Sequence, residues 1–196
     1  MRHKNALKCA QHLQRTWVQG QLPLGLGMKA FGWTTYGKTL SPHDAEQQRL
    51  NTLLLTNAML PAVRKHLPGF TAMERTLTKW LNEYYNTNVE LFYAHGLRQG
   101  PATLKSTGFD VHQDTEDFDF IEYTVVVKLT PDASHEKPSK MRVVGASGTP
   151  HFSYGAQAGA CGLFRARLYH ASVLPESPRE HLKIAYFFRK RDTSAK

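Results

Sequence analysis

From Val89 to the end of the chain, the hydrophobic residues fall into short runs instead of recurring at helical spacing. The runs are rich in β-branched and aromatic residues and are separated by Gly, Pro, Asn, Asp or Ser, which is typical of strands and turns. Six runs have this character: VELFYAHGL, FIEYTVVVKL, MRVVGA, HFSYGA, GLFRARLYHASV and HLKIAYFF. Because no helical pattern is interleaved among them, the sequence favours an antiparallel sandwich or barrel over an α/β sheet.

Two helical patterns precede these runs. Ser41 and Pro42 supply an N-cap and a proline at the first helical position. The residues that follow at helical spacing are Leu50, Leu53, Leu54 and Ala58. Pro61 predicts the end of this helix or a kink in it. Thr71 and Glu74 have the spacing of a capping box at the start of a second helix. The prediction is therefore an α+β protein in which N-terminal helices accompany a β domain.

The chain of 196 residues has the length of one domain. The polar, Pro-flanked stretch PDASHEKPSK, residues 131–140, is predicted to be a mobile loop inside that domain. We predict four segments along the chain: an irregular lead-in over residues 1–40, supporting helices over 41–88, the β core over 89–190 and a basic tail over 191–196.

The charge of the chain points to anionic partners. Lys and Arg together number 25 and Asp and Glu 16, which gives a formal net charge of +9. Six of the acids lie between Asp110 and Glu122, so the rest of the chain is more basic still. Such a surface suits nucleic acid or another acidic partner, and the alternative is that the extra Lys and Arg only maintain solubility.

The hydrophobic pattern indicates an intracellular protein without a membrane span. No uninterrupted apolar stretch approaches the roughly 18 residues of a transmembrane helix, and the first residues lack the apolar core of a secretory signal. The two cysteines, Cys9 and Cys161, are too few for a disulfide framework. This agrees with a reducing compartment, either cytoplasmic or nuclear.

His112 and Asp114 stand one residue apart, shortly before the run FIEYTVVVKL. Because strand side chains alternate between faces, an extended backbone would point both side chains the same way. His170 closes the stretch GLFRARLYH, in which the residues sharing its face are otherwise apolar. A histidine there is either a core residue bonded to a backbone carbonyl or the third ligand of a metal site.

Together these segments resemble a family, the Fe(II)- and 2-oxoglutarate-dependent dioxygenases. The resemblance spans roughly residues 89–190 and rests on VHQDT, YTVVVKLTPD, GACGLF, RLYHASVLP and LKIAYFF in this order. It implies a double-stranded β-helix, a jelly-roll or cupin-like barrel, with the N-terminal helices packed on it. It also implies that His112, Asp114 and His170 hold Fe(II) and that 2-oxoglutarate chelates the iron. O2 is then the oxidant, and ascorbate is a candidate supporting reductant.

The distal carboxylate of 2-oxoglutarate needs a cation inside such a barrel. The resemblance implies an Arg or Lys near the start of the last strand, where this sequence instead places His181. Lys183 lies two residues on, facing the same side, and is the first candidate, while Lys128 on an earlier strand is the second. Arg179, beside Pro178 in a predicted turn, is expected to be exposed. The alternative for both lysines is a position at a solvated sheet edge.

The resemblance implies an oxidoreductase that hydroxylates a substrate C–H bond with release of succinate and CO2. The substrate is a nucleic-acid base or a protein side chain, and the net charge of +9 tilts the expectation towards nucleic acid. Two other classes remain open on the sequence alone. One is a cupin-like metal enzyme that does not use 2-oxoglutarate, and the other is a non-catalytic basic barrel that binds nucleic acid.

Overall fold

The computed structural model describes residues 4–11, 52–55, 57–99, 111–116, 118–134, 140–144, 151–153, 155–173, 179 and 181–192. Residues 4–11 form helix α1, and a short 3-10 turn leads into helices α2, Leu60–His66, and α3, Phe70–Tyr84. The strands are β1 Thr52–Leu55, β2 Val89–Gln99, β3 Ile121–Lys128, β4 Lys140–Val144, β5 His151–Ser153, β6 Cys161–Arg165, β7 Tyr169–Val173 and β8 His181–Lys190. No helix within these ranges is long and apolar enough to cross a membrane.

The strands form two antiparallel sheets. The large sheet has the order β1-β2-β8-β3-β6, and the small sheet has the order β5-β4-β7. An isolated bridge between His112 and His170 adds one further pairing at the edge of β7. Every run that the sequence assigns to a strand contributes to these sheets, so the predicted α+β jelly-roll class is confirmed. The barrel is not closed by hydrogen bonds within the described residues.

The outer face of the large sheet is buried under the helices. Met73, Leu77 and Leu81 of α3 belong to one core cluster with Ile184 and Tyr186 of β8. The three α3 residues recur at helical spacing and the two β8 residues at strand spacing, so each element contributes one apolar side to the cluster. This packing holds the last strand of the chain in the centre of the sheet.

The inner face of the large sheet meets the small sheet. Ala185 of β8 and Val126 of β3 lie in a second apolar cluster with Met141 of β4. Because strand side chains alternate, Lys183 and Lys128, each two residues away from one of these positions, point into the same interior. The inner face therefore carries two lysines beside a largely apolar cluster.

The prediction of the first helix is wrong in detail. Leu53 and Leu54, which the sequence assigns to that helix, lie in β1 and pair with β2. The edge of β2 supplies backbone hydrogen bonds that a local leucine pattern does not reveal. Pro61 does not end a helix, since it is the second residue of α2, in the first turn where its missing N–H leaves no bond unmade. The predicted start at Ser41 and Pro42 lies outside the described residues.

The capping box predicted at Thr71 and Glu74 is absent. Helix α3 begins two residues earlier, after Gly69, whose φ of 82° lies in the left-handed region. A Cβ at this glycine would overlap the carbonyl oxygen of Asn5 in α1, so the close approach of the two helices also requires glycine. The Thr71 hydroxyl donates to the Arg64 carbonyl at 2.9 Å, and the Arg64 side chain engages Glu74.

Three further predictions about the chain need correction. The run GLFRARLYHASV is two strands in different sheets, because a turn at residues 166–168 separates β6 from β7 and leaves Leu168 41% exposed. The stretch predicted as a mobile loop contains Asp132, whose side chain is buried. Residues 4–11 are helical although the lead-in was expected to be irregular. The division of the chain into four segments stays a prediction.

Candidate metal centre

Three side chains converge at one end of the barrel interior. Nε2 of His112 lies 3.4 Å from Oδ1 of Asp114, and Nε2 of His170 lies 3.6 Å from the same oxygen. One potential ligand atom of each residue lies within 4.8 Å of the others. The structure thus brings together the three residues that the sequence singled out.

Backbone hydrogen bonds hold the two segments of this cluster side by side. The amide of His112 donates to the carbonyl of His170 at 3.0 Å, and the amide of His170 donates back at 2.9 Å. Two residues on, the amide of Asp114 donates to the carbonyl of Ala166 at 3.0 Å. The turn at residues 166–168, which interrupts the predicted strand, therefore provides the hydrogen-bond acceptor for the Asp114 amide.

Hydrogen bonds also orient the side chains. Nδ1 of His170 lies 2.9 Å from the carbonyl oxygen of Leu168, and since a carbonyl only accepts, this nitrogen carries the proton. Nε2 of the neutral ring then keeps its lone pair towards Asp114. The Thr124 hydroxyl donates to Oδ2 of Asp114 at 2.5 Å, which leaves Oδ1 directed at the imidazoles. Burial lowers the pKa of His170, and Asp114 only partly opposes this, so the ring is uncharged near neutral pH.

The arrangement fits a cation. Oδ1 of the buried Asp114 and the Nε2 lone pair of the neutral His170 ring are both acceptors, yet they face each other at 3.6 Å. Two acceptors in this position repel unless a positive charge lies between them. Two imidazoles and one carboxylate form the ligand set that holds Fe(II) on one face and leaves further positions open. His170 bonded to a backbone carbonyl, the alternative interpretation of that residue, is compatible with this role because the carbonyl uses the other nitrogen.

A second buried polar group lies on the inner face of the large sheet. Lys128 and Lys183 are opposite each other on adjacent strands, and each is 1% exposed. Nζ of Lys128 lies 2.5 Å from Oδ2 of Asp132, and Oδ1 of Asp132 lies 3.7 Å from Nδ1 of His181. We call these four residues the lysine cluster. Its lysines are not at a solvated edge, which rules out that alternative for both of them.

Charge is costly at Lys183. The pKa of its ammonium is lowered to about 8, chiefly by burial and also by the charge of Lys128, while Asp132 opposes the shift. Lys128 and Thr124 both lie on β3 and face the interior, four residues apart, so about 13 Å of strand separates the lysine cluster from the residue that binds Asp114.

The comparisons with known proteins concern the fold. No family model matches the sequence, and no curated protein matches it as a relative. Solved structures do match. A prolyl-4-hydroxylase from Pseudomonas putida has a TM-score of 0.62 at 16% identity, covering 98% of this chain and 89% of that one. The non-heme alpha-ketoglutarate-dependent epimerase SnoN from nogalamycin biosynthesis has a TM-score of 0.57 at 14% identity, covering 96% and 77%. EctD from S. alaskensis, solved with bound Fe, has a TM-score of 0.51 at 14% identity, covering 71% and 57%.

The fold is that of the 2OG-Fe(II) oxygenases. The likeness to the prolyl-4-hydroxylase covers nearly the whole chain, whereas the sequence resemblance was recognised only over residues 89–190. The likeness therefore extends beyond the segment that carried the sequence resemblance.

Two interior residues of this oxygenase fold escaped the sequence analysis. His95 on β2 is buried, and burial lowers its pKa to about 4, so it is uncharged at neutral pH. The alternation of Tyr93, His95 and Leu97 along a predicted strand was the available signal. Asp132 was missed because its polar neighbours resemble a loop. Arg179, in contrast, is exposed as expected and donates to the Pro131 carbonyl at 3.3 Å.

Proposed function

We propose that this protein is an Fe(II)- and 2-oxoglutarate-dependent dioxygenase that hydroxylates a substrate C–H bond and releases succinate and CO2. The observation that carries the proposal is that a His-Asp-His cluster and two buried lysines lie in the same interior between the two sheets. A metal-binding group at one end and cations at the other suit a ligand that chelates at one end and carries a carboxylate at the other. The oxygenase fold supports the general class.

His112, Asp114 and His170 would hold the iron through Nε2, Oδ1 and Nε2. Fe(II) bound there supplies the activation of O2, which protein side chains do not provide. The chain itself fixes the three ligands: paired backbone segments hold the histidines, and the Thr124 hydroxyl holds the carboxylate. Ligands fixed in this way need little rearrangement when the metal binds.

We assign the distal carboxylate of 2-oxoglutarate to Lys183. The charge of Lys128 is already balanced by Asp132 at 2.5 Å. The ammonium of Lys183 is disfavoured by burial and by the charge of Lys128, so a further carboxylate beside it would balance the second of the two cations. Lys128 remains the competing assignment, and exposure argues against Arg179.

Aromatic side chains would keep water out of this interior. Tyr93 stacks on Phe187 at 4.2 Å, with the ring planes 3° apart, and His95 lies 5.1 Å from Tyr93. His95 pairs in register with Ala185, which lies between Phe187 and Lys183 on β8, so this neutral imidazole stands between the two ends of the site. A dry, low-dielectric interior strengthens the interaction between a lysine and a ligand carboxylate.

The first test measures the co-substrate directly. Protein loaded with Fe(II), in the presence of ascorbate and O2, should convert 2-oxoglutarate to succinate slowly even without its primary substrate. Under anaerobic conditions, titration with 2-oxoglutarate should produce the weak visible charge-transfer band of an iron–keto-acid chelate. Iron-loaded protein that forms neither succinate nor the band would contradict the proposal and favour a cupin-like metal enzyme that does not use 2-oxoglutarate.

A second prediction concerns Thr124. Thr124→Val keeps the shape of the side chain but removes the donor to Asp114, leaving a buried carboxylate oxygen unsatisfied. Loss of such an orienting hydrogen bond typically weakens metal binding by about 10- to 100-fold. We expect this loss in a Fe(II) titration, with recovery in Thr124→Ser, which restores the hydroxyl. Equal affinities for the valine and serine variants would show that the hydroxyl does not position the ligand.

A further inference from the structure

A basic cleft lies outside the barrel, between α3 and the paired ends of β2 and β8. Its volume is about 500 Å³. Helix α3 lines it with Arg75, Thr78, Lys79 and Asn82, which lie on one helix face because they are three or four residues apart. None of the lysine-cluster or metal-cluster residues lines it.

The cleft has an excess of positive charge. Five cationic and two acidic side chains line it, an excess of three. Both acids are engaged by arginines of the cleft itself. Arg64 binds Glu74 through two nitrogens, at 2.9 and 2.5 Å, and Arg189 binds Glu90 at 2.7 Å. Their charge is thus largely offset inside the cleft.

Two cations on α3 provide the accessible part of this charge. Arg75 is exposed and makes no ion pair within the described part of the chain. Lys79 lies 3.6 Å from Glu83, but both side chains are more than half exposed, and such a pair contributes little. An incoming anion would meet both side chains at small cost in desolvation.

Exposed aromatic rings adjoin the cleft. The guanidinium of Arg189 stacks over Phe92 at 4.9 Å, and Phe92 contacts Phe118 at 5.5 Å and Phe120 at 4.9 Å. Phe118 and Phe120 remain 38% and 43% exposed. Arg189 therefore connects a basic cleft to a pair of solvent-facing rings.

This surface lies at the metal end of the barrel. In the large sheet, Arg189 of β8 pairs with Glu90 on one side and with Ile121 on the other. Phe187, two residues earlier on β8, pairs with Thr124. The lysine cluster is at the opposite end, where Lys128 pairs with Lys183. A polymer bound along the cleft and the rings would thus run past the end of the barrel that holds His112, Asp114 and His170.

We propose that the cleft and the two phenylalanines bind single-stranded nucleic acid. Phosphates would contact Arg75 and Lys79, and bases would stack on Phe118 and Phe120. An acidic peptide could use the cations, but only a nucleic acid carries a flat ring with every phosphate, which suits exposed phenylalanines beside a basic cleft. This surface is independent of the proposed chemistry, since binding requires neither iron nor 2-oxoglutarate.

The test is fluorescence anisotropy with labelled oligo-dT and oligo-U of about 12 nucleotides, without metal. Wild-type protein should bind both, with an affinity that falls steeply as salt is raised. The double variant Arg75→Glu/Lys79→Glu should lose about 30-fold or more at low salt. The matched control, Lys8→Glu/Lys65→Glu, makes the same change in net charge at exposed positions outside the cleft and should lose less than about threefold.

The rings are tested separately. Phe120→Ala should weaken binding by about tenfold through lost base stacking, whereas Tyr84→Ala, at an exposed ring outside this surface, should not. Thermal melts of every variant would verify folding. Equal losses in the two charge-reversal variants would overturn the proposal in favour of diffuse attraction. Equal competition by poly-glutamate of the same total charge would overturn it in favour of a protein partner. Failure of the wild-type protein to bind either oligonucleotide would also overturn the proposal.

Discussion

Asp114→Ala should abolish stoichiometric Fe(II) binding, and alanine at His112 or His170 should do the same. Asp114 is the most affected position because its Oδ1 faces both imidazoles and no other carboxylate joins the cluster among the described residues. Loss of a ligand should weaken metal binding by more than the roughly 10- to 100-fold that typically follows loss of a group that only orients a ligand. Anaerobic calorimetry and iron analysis after desalting would measure the loss.

The fold should survive these substitutions. The ligands lie at the end of the barrel interior, and the apolar clusters on both sides of the large sheet contain none of them. Far-UV circular dichroism should therefore stay close to that of the wild type. Glu116→Ala is the matched control, since Glu116 is an exposed carboxylate in the same segment and only accepts from the Gln113 amide. Retention of full iron affinity by any of the three alanine variants would remove that residue from the proposed metal site.

Lys183→Met should weaken 2-oxoglutarate binding by roughly 30- to 1000-fold while leaving Fe(II) binding intact. A charge-assisted interaction in a desolvated interior is worth about 2–4 kcal/mol, which corresponds to that range. Methionine is preferable to alanine because it fills the space of the lysine stem and avoids a cavity. Titration of the anaerobic Fe(II) protein with 2-oxoglutarate, followed by the chelate band or by calorimetry, measures the change.

The same substitution should stabilise the folded protein. The folded-state pKa of Lys183, about 8, is below the ordinary value of 10.5, so between these values the unfolded chain binds more protons. The free energy of unfolding of the wild type should thus rise with pH through this window, and the full cost of burying the charge applies below pH 8. Lys183→Met removes that cost, on the order of 3 kcal/mol, so the free energy of unfolding should no longer rise with pH through this window. Urea denaturation at several pH values would measure both effects.

Lys128→Met is expected to destabilise the folded protein. It leaves Asp132 buried without its 2.5 Å partner, and breaking a buried pair typically destabilises by about 3–5 kcal/mol. The double variant Lys128→Met/Asp132→Leu replaces both charges with apolar groups and so separates ligand affinity from stability. Arg179→Met serves as the surface control.

The two lysines can be ranked from these variants. If Lys183→Met leaves 2-oxoglutarate affinity within about threefold while the Lys128 double variant weakens it strongly, the anchor is Lys128. If neither changes the affinity, Arg179 or His181 holds the carboxylate, or the co-substrate is not 2-oxoglutarate. A stabilised Lys183→Met that no longer binds 2-oxoglutarate would mean that this buried lysine is retained for function at a cost in stability.

Much of the β domain was readable from the sequence because strand side chains alternate and these strands are bounded by turn residues. The runs around β2, β3 and β8 each carry enough β-branched and aromatic residues to identify a strand without knowledge of its partner. The order of VHQDT and RLYHASVLP along the chain was likewise a local property, so the three candidate metal ligands could be named before their positions were known.

The tertiary structure decided what depends on partners distant in the chain. Leu53 and Leu54 form a strand because β2 offers an unpaired edge, and residues 166–168 form a turn whose Ala166 carbonyl accepts the amide of Asp114. Asp132 can be buried because the ammonium of Lys128 lies beside its carboxylate and balances its charge.

By itself, the sequence predicted an antiparallel β domain, since side-chain type and period are local, and its resemblance to the oxygenases implied the three candidate ligands and the short set of candidate cations. Only the tertiary structure decided that Lys128 and Lys183 are buried opposite each other and that Asp132 balances one of them. The reason is physical: the energy of a buried charge depends on what surrounds it, and these surroundings come from strands that are far apart in the chain.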